Sequence, residues 1–375
     1  MHPGISRGKL ILPLKCVSGN ERDDGMSALL FALGALLVAL MIGLGRQVTV
    51  FSAFKPGLWL FRGYHKKRLI GLGLVAALST AAVLTQPSNE VIALVGAAGA
   101  LTAFAFLFSL ERLFPALRAV RVAPAEGSTL SIDARVLVVE MGGERRAYPL
   151  EQMVMPRHII HDVVGGVPVV VTYCALCRTG LVFHAEHGGK RLFFAVVGVF
   201  RRNLLMEDHL TNTLWQQATG EAVFGPLAGE TLELLPAVQM PWQQARQQSG
   251  MTLAVEPEGA SFAVLATRRG FGLLERVTQH VMMPGHTRLS SALPRRETVY
   301  GVQVNGKTKA YPLSEVRSSG SFTDTVGGVE LEIEFDASTE VLRIRRRDGE
   351  PDPIVEKHWW LGWNEFHPDT EIYRS

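Results

Sequence analysis

The sequence predicts three N-terminal transmembrane helices followed by a β-dominated α+β soluble domain containing two related β-rich modules. Three observations lead there. Long apolar runs without charge fall before residue 111, and the remainder alternates short apolar stretches with Gly, Pro and Asn-Gly turns. One part of that remainder also recurs further along the chain, at a spacing too long for a solenoid unit.

The apolar runs cover 26–44, 69–85 and 91–110. A helix needs about 20 apolar residues to cross the hydrocarbon core. Three such runs so close together predict a membrane segment over 26–110, with the lipid bilayer as partner and a multi-pass place in the cell membrane. The polar leader 1–25 fits neither a signal peptide nor an amphipathic anchor. The link 86–90 suits a tight turn. Basic residues crowd the first connector (Arg46, Lys55, Arg62, Lys66, Lys67, Arg68) and the start of the 111–129 linker (Arg112, Arg118, Arg121). With three crossings these share a side, and the positive-inside rule puts the large domain in the cytoplasm. The segment 50–61 is the alternative: as a fourth crossing it would move the domain outside.

The net charge of +3 comes from interleaved acids and bases. No basic stripe marks a nucleic-acid surface. Three cysteines, Cys16, Cys174 and Cys177, are too few for a disulfide-stapled scaffold. Cys16 lies in the leader and reads as incidental, whereas the Cys174-x-x-Cys177 pair is a local device.

The first module is placed over 130–298 and a second, partial one with a C-terminal packing segment over 299–375. The stretch 138–150, ending Ala147-Tyr-Pro-Leu150, matches 302–313, ending Ala310-Tyr-Pro-Leu313. Each is followed by Asp-x-Val-Gly-Gly-Val, at 162–167 and 324–329. Gly142-Gly143 and Asn305-Gly306 predict hairpin turns, and Pro149 and Pro312 should end their strands because proline cannot donate to a ladder. The wholly apolar 167–173 reads as a central strand, and the alternating 329–335 as one with a wet face. Helix is expected at 240–250 and within 206–219. Trp359, Trp360 and Trp363 should pack the last segment onto the body.

The copies share glycines and prolines but not chemistry. Only the first has His158, His161, Cys174, Cys177 and Arg178; the second has Phe335-Asp-Ala-Ser-Thr339 where the cysteines would fall. A Cys-x-x-Cys turn fits three uses. It can cycle between dithiol and disulfide, with Arg178 lowering a thiolate pKa and His158 or His161 as base. It can hold copper or zinc with His158, His161, His184 or His187. Or the cysteines can be inert small hydrophobes. A c-type haem site is excluded, since position 178 is arginine. No signal for nicotinamide or flavin binding is present.

Weaker candidates surround these. His184 and His187 read as a wet hairpin. Asp162, matched by Asp324, reads as a turn cap. Arg201, Arg202 and Asn203 form an anion-binding candidate, with Glu207 and Asp208 near enough to pair with the arginines. Trp215 lines a pocket or fills the core.

The chain resembles the bacterial and archaeal proteins grouped as domain of unknown function 3179. The resemblance is carried by Ala147–Leu150, His158 with 162–168, Thr172-Tyr-Cys-Ala-Leu-Cys-Arg-Thr-Gly180, 214–229 and His367-Pro-Asp-Thr370, and covers roughly residues 130 to 373. It implies that His158, Cys174 and Cys177 are motif residues. His161 stands where many members have asparagine, and 200–203 departs from a more usual tyrosine-asparagine stretch. Some relatives are named as selenoproteins, which implies thiol redox, and many look exported, against the charge count. The leading expectation is membrane-anchored thiol redox through Cys174 and Cys177, with a redox partner protein. A copper- or zinc-binding delivery module served by a metal-donor partner is the alternative, and an inert binding domain the third.

Overall fold

The computed structural model describes residues 19–43, 57–107, 109–256, 270 and 285–375. Cys16, most of the leader and residues 50–56 of the 50–61 segment lie outside the described residues. The chain forms two units, Met1–Leu44 with His65–Phe106, and Gly45–Tyr64 with Leu107–Ser375.

The first unit contains helices Gly19–Gly43, Tyr64–Thr85 and Asn89–Leu107, each begun before its apolar run. All three are long and apolar enough to cross a membrane. Their mutual contacts use small residues. Ala28, Ala32, Ala35 and Ala39 recur at helical spacing on the first helix and are buried against Val75, Ala82, Val91 and Ala98. Small side chains let backbones approach where lipid removes any hydrophobic drive between helices. Leu30, Leu37, Ile70 and Leu84 face outward, as a lipid-facing surface requires.

The second unit takes in the end of the connector. Leu58 and Phe61, in the short helix Leu58–Phe61, are buried in a cluster with Val197, Phe200, Leu205 and Leu214. Gly198 makes room for the Phe61 ring. This corrects the reading of 50–61 as a fourth crossing: its last residues are buried among strands of the β-rich unit.

In chain order, β1 (Arg121–Pro124) is followed by the hairpin β2 (Arg135–Met141) and β3 (Glu144–Pro149). One π-helical turn and the short helix Met155–Arg157 lead to the meander β4 (Ile159–Val164), β5 (Val167–Cys174) and β6 (Thr179–His184). A wet hairpin follows, β7 (Glu186–His187) and β8 (Lys190–Arg191), then β9 (Phe194–Phe200), β10 (Asn203–Asp208), β11 (Leu214–Gln216) and β12 (Ala222–Phe224). β13 (Leu234–Leu235), β14 (Ala237–Pro241) and β15 (Met251–Val255) return to earlier sheets. The hairpin β16 (Thr298–Val304) and β17 (Lys307–Pro312), helix Leu313–Ser319, and the meander β18 (Ser321–Val326), β19 (Val329–Asp336) and β20 (Val341–Arg346) come next. β21 (Glu356–Trp359), helix Trp360–Phe366 and β22 (Glu371–Ile372) close the chain.

Among the described residues, five sheets of three to five strands form a propeller-like arrangement. Three are built from strands before residue 256 and two from strands after 298. They do not separate into two independent modules. Val341 of β20 shares a core with Val136 and Val138 of β2, and the Trp359 N–H donates to the Cys177 carbonyl at 2.8 Å.

The recurring residues build recurring joints. Gly142, Gly143, Asn305 and Gly306 all take positive φ, the type I′ hairpin geometry. Gly165 packs against the Met141 carbonyl and Gly327 against that of Val304, so each Gly-Gly turn nests on the preceding hairpin with no room for a Cβ. Asp162 accepts from Arg146 and from the Tyr148 hydroxyl, both at 2.7 Å. Asp324 accepts from Lys309 at 2.9 Å and from Tyr311 at 3.1 Å. The aspartate therefore does more than cap a turn: it ties the meander to the Tyr and the cation of the hairpin before it.

β5 is central in its sheet, and β19 has one wet face, as the patterns imply. The helix expectations are corrected. Within 206–219 the chain is strand and turn, because Asp208 closes a β-turn by accepting from the Thr211 and Thr213 amides and from Trp215 Nε1. At 240–250 only Trp242–Ala245 is helical; Pro241 ends β14 there.

Candidate functional site

Cys174 ends β5 and pairs in register with Thr179, the first residue of β6. Cys177 lies in the four-residue turn between them. The second copy has the same turn: Asp336 pairs with Val341 across another four-residue link. Arg178 and Glu340, each the last residue of its turn, take φ of 53° and 51°. In the second copy Thr339 Oγ1 donates to Asp336 at 2.8 Å. In the first, the equivalent side chains are Cys177 and Cys174, both buried. The two turns share a shape, and the sulfurs belong to one.

Both thiols are free and buried. Asn203 Nδ2 donates to Cys177 Sγ at 3.2 Å. Asn203 is itself locked: its Oδ1 accepts from Gln216 Nε2 and the Ala218 amide, both at 2.9 Å. Gln217 Oε1 accepts from Asn203 at 2.8 Å, and Gln217 Nε2 donates to Thr172 at 3.0 Å. On the other side Thr179 Oγ1 meets His358 Nδ1 at 2.7 Å, and His358 Nε2 meets Glu356 Oε2 at 2.9 Å. A carboxylate only accepts, so Nε2 carries a proton. Gly362, on helix Trp360–Phe366, approaches so closely that any Cβ there would strike Cys177.

These contacts set the two sulfurs apart. Burial alone raises a thiol pKa. At Cys177 the Cys174 thiol, the His358 ring, Thr179 and Asn203 outweigh that penalty and bring the pKa below the ordinary thiol range. At Cys174 burial and the neighbouring Cys177 both push it well up. The two sulfurs are thus shifted in opposite directions, and Cys177 is the one that ionises more readily.

A family model described as a protein of unknown function, DUF3179, matches residues 112–355. The chain belongs to the DUF3179 family. No curated protein and no solved structure matches it. The DUF3179 match covers Cys174, Cys177, Asn203 and Gln217 and ends before His358 and Gly362. The latter two complete the sulfur environment from outside the matched stretch.

The remaining sequence candidates in this DUF3179 chain fall elsewhere. His161 is fully occupied: Nδ1 meets the Leu117 carbonyl at 3.0 Å, and the Phe194 amide donates to Nε2 at 2.8 Å. That leaves no lone pair for a proton or a metal, which corrects its reading as base or ligand. His158 Nδ1 meets the Tyr173 carbonyl at 2.8 Å, and its ring is edge-on to Phe114. Burial lowers both imidazoles to about 4, so both stay neutral. Arg178 lies over the Trp359 ring at 5.3 Å. The largest influences that lower Cys177 come from Cys174, His358, Thr179 and Asn203. Among the described residues, no group of three or more His, Cys, Asp or Glu is placed to hold a metal.

Among the described contacts, Arg201 and Arg202 bond to Glu365 and not to Glu207 or Asp208. They form the turn between β9 and β10, both at positive φ, and both bond to the buried Glu365. Glu207 accepts from the Gly63 amide of the connector. Trp215 is a core residue. His184 lies 3.7 Å from Glu233, and His187 sits on the β7–β8 hairpin.

Sequence reasoning missed His358, Glu356, Thr179 and Gly362. His358 lies 179 residues from Thr179, with no spacing to announce it. Thr179 and Gln217 stood within the quoted family motifs, which was the available signal.

Proposed function

We propose that this protein is a membrane-anchored thiol redox protein in which Cys177 is the attacking thiolate and Cys174 the resolving thiol. The observation that carries this reading is the set of donors around one buried sulfur. Inert core cysteines need no such set; a thiolate does. The selenoprotein naming within the resembling family supports the same chemistry.

The chain Glu356–His358–Thr179–Cys177 supplies proton control. With His358 neutral, Nδ1 accepts and the Thr179 hydroxyl is committed to it. With His358 protonated, Nδ1 donates and the Thr179 hydroxyl is released to donate to the Cys177 carbonyl at 3.2 Å. The imidazolium charge beside the turn favours a thiolate at Cys177.

The reaction consumes an organic disulfide. The Cys177 thiolate attacks one of its sulfurs and forms a mixed disulfide, and the first leaving thiolate takes the proton from Cys174. The Cys174 thiolate then attacks Cys177 Sγ, and the second leaving thiolate takes a proton from solvent. Two thiols and one disulfide become one protein disulfide and two small thiols. We also read the recurring hairpin–helix–meander as two related modules, the second holding the turn shape without the sulfurs.

The test is a redox titration of the full chain in detergent against a glutathione buffer, followed by alkylation and mass analysis. A reversible Cys174–Cys177 disulfide, lost in Cys177→Ser, is expected. Thiols that stay reduced across the titration, in protein that remains folded, would overturn the reading and leave the pair structural.

A further inference from the structure

Arg62 lies just before the membrane helix Tyr64–Thr85, whose apolar run begins at Leu69. A helical residue advances about 1.5 Å and an extended one at most about 3.6 Å, so chain length alone holds Arg62 within about 15 Å of that run. Whatever Arg62 grips in the β-rich unit is therefore also held near the bilayer. Its Nε donates to the Asn212 carbonyl at 3.0 Å, and the Gly63 amide donates to Glu207. Glu207 lies on β10 and Asn212 in the turn between β10 and β11. That turn is tied to the point where the chain enters the second membrane helix.

The surface around the turn is apolar at its tip and basic around it. Leu210 is 50% exposed, and Trp59, on the connector ahead of Arg62, is 55% exposed. The His209 amide donates to the Phe193 carbonyl at 2.9 Å. Arg118 and Arg191 lie over the Phe193 ring at 5.6 and 4.9 Å. Arg118 belongs to the linker that follows the third membrane helix, Asn89–Leu107. The segment leading into the second helix and the segment leaving the third thus meet on one face. The contacts made by these arginines are with neutral groups: a carbonyl for Arg62, the Asp162 carbonyl at 2.9 Å for Arg191 Nη2, and a ring for Arg118. Neutral partners leave the positive charge in place. Lys190, exposed on the β7–β8 hairpin, adds another, and the acid of that hairpin is Glu186, in register with Arg191.

We propose that this face of the β-rich unit, centred on Leu210 and ringed by Arg62, Arg118, Lys190 and Arg191, docks on the anionic phospholipid headgroups of the bilayer that the chain crosses. A leucine at a loop tip can enter the boundary between headgroups and acyl chains, as apolar faces of interfacial segments do. Tryptophan favours the headgroup level. Each basic side chain near an anionic surface favours the docked state by about fivefold. That attraction fades within about 10 Å at ordinary salt, so it acts only on a face kept close to the lipid, which the Arg62 tether provides. The docking stands whether or not Cys177 is a redox thiol.

The test uses the full chain in nanodiscs of phosphatidylcholine alone or with phosphatidylglycerol. A bimane fluorophore is placed on Leu210→Cys in a Cys16→Ser background, and the same chain without the new cysteine gives the background labelling. Quenching by a nitroxide-headgroup lipid reports contact with the bilayer. Ser88→Cys, in the link between the second and third helices, is the reference for a membrane-surface position. Quenching at Leu210 of at least about half the Ser88 value is expected in discs with phosphatidylglycerol, and less without it. Arg118→Gln combined with Lys190→Gln should lower the ratio of docked to undocked chains by about 25-fold, two charges at about fivefold each. If Leu210→Cys fails to fold, His209→Cys, also exposed on the turn, carries the same readout. No quenching at the turn in either disc overturns the proposal. So does quenching that neither phosphatidylglycerol nor the charge variant changes.

Discussion

Thr179 is where the sulfur chemistry can be tested without moving the sulfur. Its hydroxyl joins His358 to the Cys177 turn, and valine keeps its shape and its β-branched fit to β6. Thr179→Val should raise the pH at which Cys177 ionises, read from thiolate ultraviolet absorbance, while costing about 1–2 kcal/mol for the lost buried hydrogen bonds. A purely structural threonine would cost the stability and leave the ionisation unmoved. The linkage has a definite sign. A thiol whose folded pKa is lowered contributes stability that is present above the unfolded value and is lost as pH falls through the folded one. The histidines act at lower pH. His158 and His161 ionise near 4 when folded, against 6.5 for the free ring. The unfolded chain therefore binds more protons between those values, and stability falls as pH drops through that window. On the order of 3 kcal/mol per ring is at stake. Denaturant midpoints measured from pH 7 to 4.5 should fall steeply, and less so in His161→Gln. The cysteine pair was legible in the sequence because its spacing is local. The histidine beside it was not: His158 and His161 are near in the chain but spent on backbone partners, and His358 arrives only when β21 folds beside β6.

The elements show the same division between local and distant information. The hairpin turns, the strand-ending prolines and the buried or alternating faces of β5 and β19 were readable, because each rests on neighbours within about ten residues. The helix expected within 206–219 failed because one carboxylate, Asp208, collects the amides of its own turn and commits the segment to a hairpin. The repeated aspartates allow an internal comparison. Asp162 partners Arg146, whose side chain is only 7% exposed, whereas Asp324 partners Lys309 at 12% with Glu371 also nearby. Both cations keep a second carboxylate, Arg146 with Glu144 at 2.9 Å and Lys309 with Glu371 at 3.8 Å, so neither change strands a charge outright. Asp162→Asn should cost about 1–3 kcal/mol in denaturant unfolding, and Asp324→Asn less, because Asp162 and Arg146 are the more buried pair. Equal losses would mean that the two joints are energetically interchangeable, against their different burial.

At the scale of the whole molecule, the open matter is which side of the membrane holds the β-rich unit. Its answer decides which redox pool could reach the cysteines. Crossing number is constrained by packing: Leu58 and Phe61 are buried in the β-rich unit, and the Gly63 amide bonds to Glu207. The connector therefore ends on the side that carries the soluble domain. Three crossings then leave the link between the second and third helices on the opposite side, and the positive-inside rule, applied to the arginines and lysines of the connector, predicts a cytoplasmic domain. A pair of single cysteines introduced into a Cys16→Ser background separates the possibilities. Ser88 lies in that link and Ser128 in the soluble part. With a membrane-impermeant maleimide on intact cells, Ser88→Cys should label and Ser128→Cys should label only after lysis. The reverse pattern would put the domain outside, in agreement with the exported relatives, and a strongly oxidising environment would then hold Cys174 and Cys177 as a disulfide at rest. Labelling of both on intact cells would break the three-crossing topology itself, because the two positions cannot share a side while one helix separates them.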